Sequence, residues 1–376
     1  MKLTRRNHQP LRTLQNARGV TLVELMIGLL VGLLATLVIA QALGFVESQK
    51  RTTTGGTDAQ VNGALALHAI GRDVQMAGYG LSASATAIGC QIKAQNEGTD
   101  YTLALAPVVI TDGAGGAPDT IKVLSSNKPY ALPYLVTEDH PRTAANFFVG
   151  TALGIAVGDL MLAVPATVDA ANWCSLFNVT GANGDEESRA HGSGQGQNQI
   201  IHNSGSRGPW NQPGGSTIFP AGGYPAGSYL LNLGNFIERT YAISATKSLT
   251  LQTKLWSALV AAPAPDDLFP HIVQLQALYG KDTNNDGVVD TWDNTTPALN
   301  DNAAWRQVIA VRIAIVARSD TYEKAIVTRA NPQWEIGAAS PVSIDVGAGV
   351  ADAEAQHYRY KVFESIVPIR NVIWKS

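Results

Sequence analysis

The chain has 376 residues, of which 45% are hydrophobic and only 15% charged, enough apolar material for a sizeable core and too much for a mainly disordered polymer. Its 27 Lys plus Arg face 30 Asp plus Glu for a net charge of −3, so it lacks the basic footprint of a duplex binder and no specific nucleic-acid site is expected. The 36 Gly and 18 Pro favour β-structure with irregular loops over long helices, and two cysteines exclude a disulfide-dense scaffold or a four-thiolate zinc site.

Residues 1–19 carry Lys2, Arg5, Arg6, Arg12 and Arg18 with no acidic residue. A basic flank of this kind stays on the cytoplasmic side of a membrane. Across 20–46 the only charge is Glu24, and 25–46 is an uncharged run of 22 residues. As a helix that run is about 33 Å long, enough for a bilayer core. A secretory signal places its small residue after the apolar run, whereas Gly19 precedes it, so cleavage there would spare the helix. Glu24 in hydrocarbon costs about 2.5–3.5 kcal/mol on insertion scales and calls for a partner. The other reading is a shallow position that reaches interfacial water. Gly28, Gly32, Thr36, Ala40 and Gly44 recur every fourth residue. They form a stripe where a second helix can approach closely, unless they are small residues of a single span with no specific contact.

Val61, Leu65, Ile70 and Val74 continue a helical stripe, so the segment 47–78 is expected to dock on a head domain up to about Met76. Three consecutive threonines followed by two glycines within 52–57 predict a kink, fraying or a local break. Gly78 and Gly80 suit the helix C-terminal cap. From 79 to 376 the pattern turns to short apolar or alternating runs, with strands expected at 101–110, 119–125, 157–164, 228–234, 236–244, 248–256, 271–279, 308–318 and 358–367. In 308–318, Ile309, Val311, Ile313, Ile315 and Ala317 share one face against Arg312 and Arg318 on the other, which predicts a half-buried antiparallel strand. The Gly-, Ser- and Asn-rich stretch 181–227 reads as a mobile surface loop dividing the head into two lobes. Its glycines, Gly192, Gly194 and Gly196 among them, lack the Gly-Lys-Ser/Thr ending of a phosphate loop.

The most specific motif of the head starts at Asp282. Counting it as position one, oxygen-bearing side chains recur at Asp282, Asn284, Asp286, Asp290 and Asp293, Gly287 sits at the sharp turn and the Val288 carbonyl can supply position seven. Carboxylates this close repel one another, and a hard cation with flexible oxygen coordination relieves that, so Ca²⁺ in a structural role is the expected ligand. Asp293 is shorter than the usual closing Glu and a strand precedes the loop, which predicts an EF-like loop without its helix pair. A solvated Asp/Asn/Gly turn with no ion is the alternative. Cys90 and Cys174 face an oxidising compartment once the anchor delivers the head outward, so a disulfide is expected, with two isolated buried thiols as the other reading. None of the seven histidines forms a zinc-protease motif and no serine lies in a Gly-x-Ser-x-Gly elbow, so no enzyme is expected.

The segment Gly19-Val20-Thr21-Leu22-Val23-Glu24-Leu25-Met26-Ile27-Gly28-Leu29 closely resembles the processing site of type IV prepilins. The resemblance implies a membrane-embedded peptidase that cuts after Gly19 and methylates Val20. It also implies that Glu24, fifth in the mature chain, neutralises the terminal ammonium of a neighbouring subunit. Val20 departs from the usual Phe, and a 19-residue leader is long. Removing that leader leaves 357 residues and moves the formal charge from −3 to −8.

Three further segments, 72–80, 279–292 and 358–371, look like PilW-type minor pilins, the last through its closing strand and Pro368-Ile369-Arg370-Asn371. The fold this implies is α+β and pilin-like: a leader 1–19, a transmembrane half 20–46 and a periplasmic half 47–78 of one long N-terminal helix, then a mainly antiparallel β head with long loops. The function it implies is priming of type IV pilus assembly, with a place at the pilus tip, in support of twitching motility, adhesion or DNA uptake. The implied partners are other minor pilins, the major pilin, the prepilin peptidase, the inner-membrane assembly platform and a tip adhesin. The implied location is the bacterial inner membrane with a periplasmic head, then the extracellular pilus. A J-like type II secretion pseudopilin shares the same leader and helix logic. A membrane-tethered, calcium-stabilised adhesin or hydrolase is the reading from a different class.

Overall fold

The structure is a computed structural model that describes residues 19–81, 87–96, 98–128, 132–183, 198–203, 208–211, 217–256, 263–335, 341–347, 349 and 353–373. The basic stretch 1–18 and the glycines Gly192, Gly194 and Gly196 lie outside the described residues. By contacts the chain divides into two units, Met1–Thr54 and Gly55–Ser376. One helix, α1 (Leu22–Gln75), contributes to both.

In the first unit Leu22–Glu47 has a mean hydropathy of 2.6 over a window that is 0% buried, long and apolar enough to cross a membrane. Added side-chain carbons at Gly28, Gly32 and Gly44 would meet nothing within 4 Å, so the small-residue stripe is open in a single chain. The helix also runs unbroken through 52–57, contrary to the predicted break. Thr53 donates its hydroxyl to the Gln49 carbonyl at 2.9 Å, satisfying its polar group within the helix. A Cβ at Gly55 would come within 2.6 Å of the Asp320 carboxylate, the end of an exposed side chain that can turn aside.

In the second unit the buried face of α1 is Ala59, Ala66, Ile70 and Val74. Gly63 lies against the Phe363 ring and Gly71 against Val367. This corrects the expected stripe, because Val61 and Leu65 are 51% and 47% exposed. The sheet lies close under the helix at Gly63, where only a small residue fits, while Ile70 and Val74 fill the contact nearer its C-terminal end.

The strands follow in order: β1 (Gln91–Asn96), β2 (Thr99–Ala104), β3 (Val108–Thr111), β4 (Thr120–Ser126), β5 (Pro133–Leu135), β6 (Asn146–Val149), β7 (Leu160–Val164), β8 (Cys174–Asn178), β9 (Gly181–Asn183) and β10 (Asn198–Ile201). Then come β11 (Tyr229–Gly234), β12 (Phe236–Ile243), β13 (Ser248–Leu255), β14 (Asp266–Pro270), β15 (Ile272–Lys281), β16 (Thr291–Asp293), β17 (Val308–Arg318), β18 (Gln333–Trp334), β19 (Val342–Ser343) and β20 (Tyr360–Pro368). Two short helices, α2 (Asn302–Arg306) and α3 (Arg370–Ile373), flank β17 and β20 in sequence. The sheets read β2-β1-β8-β7-β11-β5, β6-β10-β9, β14-β13-β12-β4-β3, β16-β15-β17-β20 and β18-β19. All pairings are antiparallel except β1 with β8. The fold is therefore the expected α+β arrangement of a long N-terminal helix and a mainly antiparallel head. Pro107 lies in the gap that splits the expected 101–110 run into β2 and β3, since proline cannot donate to a ladder.

β17 departs from the half-buried expectation, being buried on both faces from Val308 to Ala317. Its Ile313 face packs with α1, while Ala314 and Val316 pack with Trp334 and Ile344 from the segment that follows the strand. The two arginines survive there through partners. Arg312 donates to Glu364 at 3.0 Å, and Arg318 stacks 4.2 Å from the Tyr358 ring. The stretch 181–227 is likewise not one surface loop in its described parts, since it contains β9 and β10 and buries Trp210, Phe219 and Tyr224.

Cys90 and Cys174 form a disulfide across 84 residues with Cα atoms 6.0 Å apart, beside the parallel β1–β8 pairing. A separate aromatic cluster holds two buried histidines whose Nε2 atoms meet at 2.9 Å, with His140 stacked on Phe147. Burial pushes His140 down to about 4, and burial followed by the repulsion of His140 pushes His202 down to about 3. Asp119 accepts from the Gly113 and Ala277 amides at 2.9 and 2.7 Å, yet its burial pushes it up to about 6.

Candidate functional site

Gly19 and Val20 lie exposed just before α1, and Val20 is 71% accessible. Thr21 is the residue before the first helical position. Its amide and hydroxyl both donate to Glu24 Oε2, at 3.0 and 3.1 Å, while the Glu24 amide donates back to the Thr21 hydroxyl at 3.3 Å. This is a reciprocal capping box, in which two orphan donors of the helix start are satisfied by side chains three residues apart. Glu24 thus has a partner inside its own chain, and the carboxylate lies where the helix dipole favours a negative charge. Thr21 is legible in the sequence as the first member of a Thr-x-x-Glu pattern, a partner for Glu24 besides the neighbouring subunit and the interfacial water expected above.

At the other end of α1 two side chains fasten the helix to the head. Asp73, 5% exposed, accepts from Arg239 Nη1 at 3.1 Å and from the Tyr241 hydroxyl at 2.7 Å, both on β12. Asn371 donates to the Met76 and Ala77 carbonyls at 3.3 and 2.9 Å, satisfying acceptors just beyond the last turn. Gly78 and Gly80 take φ of 74° and 75°, the left-handed backbone that turns the chain out of the helix.

The acidic loop joins β15 to β16, with Lys281 opposite Thr291, so strands and not helices flank it. Asp282 is buried and accepts from the Asp286 and Gly287 amides at 3.2 and 2.8 Å. Asp286 accepts from the Val288 amide at 2.8 Å. Asp290 accepts from the Thr283 hydroxyl and amide, each at 2.7 Å, and those bonds hold its carboxyl below the usual range. Asn284 Nδ2 reaches Asp286 Oδ2 at 3.1 Å and Asp290 Oδ1 at 3.4 Å, so a single donor links two carboxylates of the loop. Gly287, with φ of 83°, supplies the turn. Asp293 is engaged elsewhere: it holds Lys281 Nζ at 2.7 Å and accepts from the Thr295 amide. Among the described residues no group of three or more His, Cys, Asp or Glu side chains is close enough to hold a metal ion. The oxygen chemistry of Asp282, Asn284, Asp286 and Asp290 still fits a hard divalent cation.

Residues 240–371 match the family described as Type IV Pilus-assembly protein W. No curated protein matches the chain. Among solved structures, the chain is similar to the type IV-like pilin TTHA1219 from Thermus thermophilus, with 11% identity, coverage of 83% of this chain and 96% of that one, and a TM-score of 0.34. Over residues 240–371 the chain is therefore similar to that pilus-assembly family, and it carries an N-terminal apolar helix long enough to cross a membrane.

Proposed function

We propose that the chain is a minor pilin: a precursor cut after Gly19, whose Val20 amine and Glu24 carboxylate enter a helical assembly with other subunits. The observation that carries this reading is the reciprocal Thr21–Glu24 cap at the head of an apolar helix that the rest of the chain leaves bare. In the membrane the threonine donors satisfy the carboxylate. Both kinds of bond end on the ionised carboxylate, but a neighbour's ammonium adds a full opposite charge that the neutral threonine donors lack, and in a low-dielectric setting that attraction lets the incoming subunit outcompete the cap. The subunit then leaves lipid for a protein surface, with the open small-residue stripe as the line of approach.

On this reading the head waits in the periplasm of the bacterial inner membrane, meets other minor pilins, the major pilin and the assembly platform, and passes to the extracellular fibre. There it supports priming, motility or adhesion in a structural rather than catalytic capacity. The Asp282–Asp290 loop would bind Ca²⁺ through Asp282, Asn284, Asp286 and Asp290 and stiffen the β15–β16 hairpin.

The test compares the mature amino terminus and fibre recovery for wild type, Gly19→Ala and Glu24→Ala. Gly19→Ala is expected to retain the leader and Glu24→Ala to stay in the membrane. Normal cleavage of the first together with normal incorporation of the second would reject the proposal.

A further inference from the structure

The four-stranded sheet ends at β20, whose outer side pairs with no strand among the described residues. It is the longest of the edge strands, with nine residues from Tyr360 to Pro368. Its register with β17 is unbroken from Arg318↔Tyr360 to Ala310↔Pro368, whereas the edge strand β14 joins its neighbour across a register shift. The alternation of its backbone is fixed at both ends. Ser319 donates to the Arg359 carbonyl at 2.8 Å, and Ile369 donates to the Ile309 carbonyl at 2.9 Å, so odd-numbered residues bond to β17. Val362, Glu364 and Ile366 consequently turn their N–H and C=O groups outward. Among the described residues these groups make no other backbone bond. A long, straight, open edge is ordinarily blunted by a bulge, a proline or a covering element, and here the only proline is Pro368 at its end.

The two faces beside this edge differ in chemistry. On the α1 side a cavity of about 360 Å³ is lined by Leu67, His68, Arg72, Gln75, Phe363 and Ser365. Arg72 is 70% exposed there, and its one ion pair is a 3.7 Å contact with Asp73, a carboxylate already held by Arg239 and Tyr241. Lys361, exposed on the same side of the strand, has no carboxylate within ion-pair distance among the described residues. On the opposite side Ile366 is 55% exposed beside the half-buried Val362, and Glu364 is tied to Arg312.

We infer that β20 is a docking edge for an extended segment of a partner subunit, which adds a fifth strand and alternates acidic side chains toward His68, Arg72 and Lys361 with apolar ones toward Val362 and Ile366. Main-chain bonds supply the affinity of such strand addition, and the alternating surfaces on either side supply its selectivity. The basic side selects an acidic strand, and a second copy of this edge, which carries the same cations, would meet it with like charges. The inference rests on reading the chain as a subunit of an assembly.

The test uses the full chain in fibre-forming cells, with recovery in sheared fibres and melting of the detergent-purified protein as readouts. Ile366→Pro removes an outward N–H and leaves the β17 ladder intact, whereas Ser365→Pro removes a ladder bond and reports the cost of misfolding. Ile366→Pro is expected to melt close to wild type while its recovery in fibres falls about tenfold, the effect of one lost hydrogen bond at a docked strand. Lys361→Glu, which leaves every backbone group in place, is expected to lower recovery severalfold and decides the matter if the proline variant does not fold. Wild-type recovery of both variants, while Glu24→Ala is lost, overturns the docking edge and leaves the assembly reading intact. Normal recovery of Glu24→Ala overturns the role of Glu24 in entry to the fibre, and the edge variants, read against the fibre-borne chain, then still decide the edge.

Discussion

The two parts of α1 solve the same problem in opposite ways. From Leu22 to Glu47 large apolar side chains flank the stripe of small ones, and among the described residues none of them is buried. From Gly55 onward the contact face combines small residues that bring a sheet close, Ala59, Gly63, Ala66 and Gly71, with the fully buried Ile70 and Val74, while Val61 and Leu65 point outward. Polar groups differ in the same sense. Glu24 is satisfied three residues away, whereas Asp73 is satisfied by Arg239 and Tyr241, 166 and 168 residues along the chain. A helix built for lipid must carry its own partners; a helix built for a head borrows them from the head.

Breaking the head is expected to have the largest effect. Reduction of Cys90–Cys174 in the full chain is expected to lower its stability by about 2–5 kcal/mol, read by denaturant unfolding with and without reductant. Acid is expected to act almost as strongly. His140 and His202 are held at about 4 and about 3 against an ordinary 6.5, so below pH 6.5 the unfolded chain binds more protons and stability falls. At pH 5 the pair works against the fold, while Asp119, raised from 3.8 to about 6, offsets part of that loss because its folded form takes up a proton first. Unfolding measured from pH 7 to pH 5 should therefore show falling stability, and a His140→Phe, His202→Phe double variant should reverse the slope.

At the boundary between the two settings, Asp73→Ala is expected to cost about 2–3 kcal/mol, since it strands the Tyr241 hydroxyl and weakens the hold on Arg239. Gly63→Ala, which drives a methyl into the Phe363 ring, is expected to cost about 1–3 kcal/mol. The smallest effect sharpens the contrast most: Gly32→Ala, with open space around it, is expected to leave head unfolding unchanged while weakening helix association measured in bilayers. Equal destabilisation of the head by Gly63→Ala and Gly32→Ala would erase the distinction.

Features set by local composition were the most legible in the sequence. The apolar span, the glycine before it, the only available cysteine pair and the strong runs at β12, β13, β15 and β17 can all be read from neighbouring residues. β1, β8 and β10 escaped because they are short and mixed in polarity, and they owe their strand geometry to partners far along the chain. The double burial of β17 escaped because its second cover, Trp334 and Ile344, arrives from a segment with weak strand character of its own. In the acidic loop the spacing of Asp282, Asn284, Asp286 and Asp290 was legible, but the capture of Asp293 by Lys281 depends on strand pairing and was not. The Thr21–Glu24 cap lay in plain sequence.

Asn371 closes a helix whose last turn is near residue 75, reaching back 294 residues to the Ala77 carbonyl. The end of α1 is therefore sealed by a segment made long after the helix itself. A nascent chain stalled within β20 would carry its anchor and most of its strands but no finished seat for the helix. Export and quality control would then meet a head whose helix end is still open.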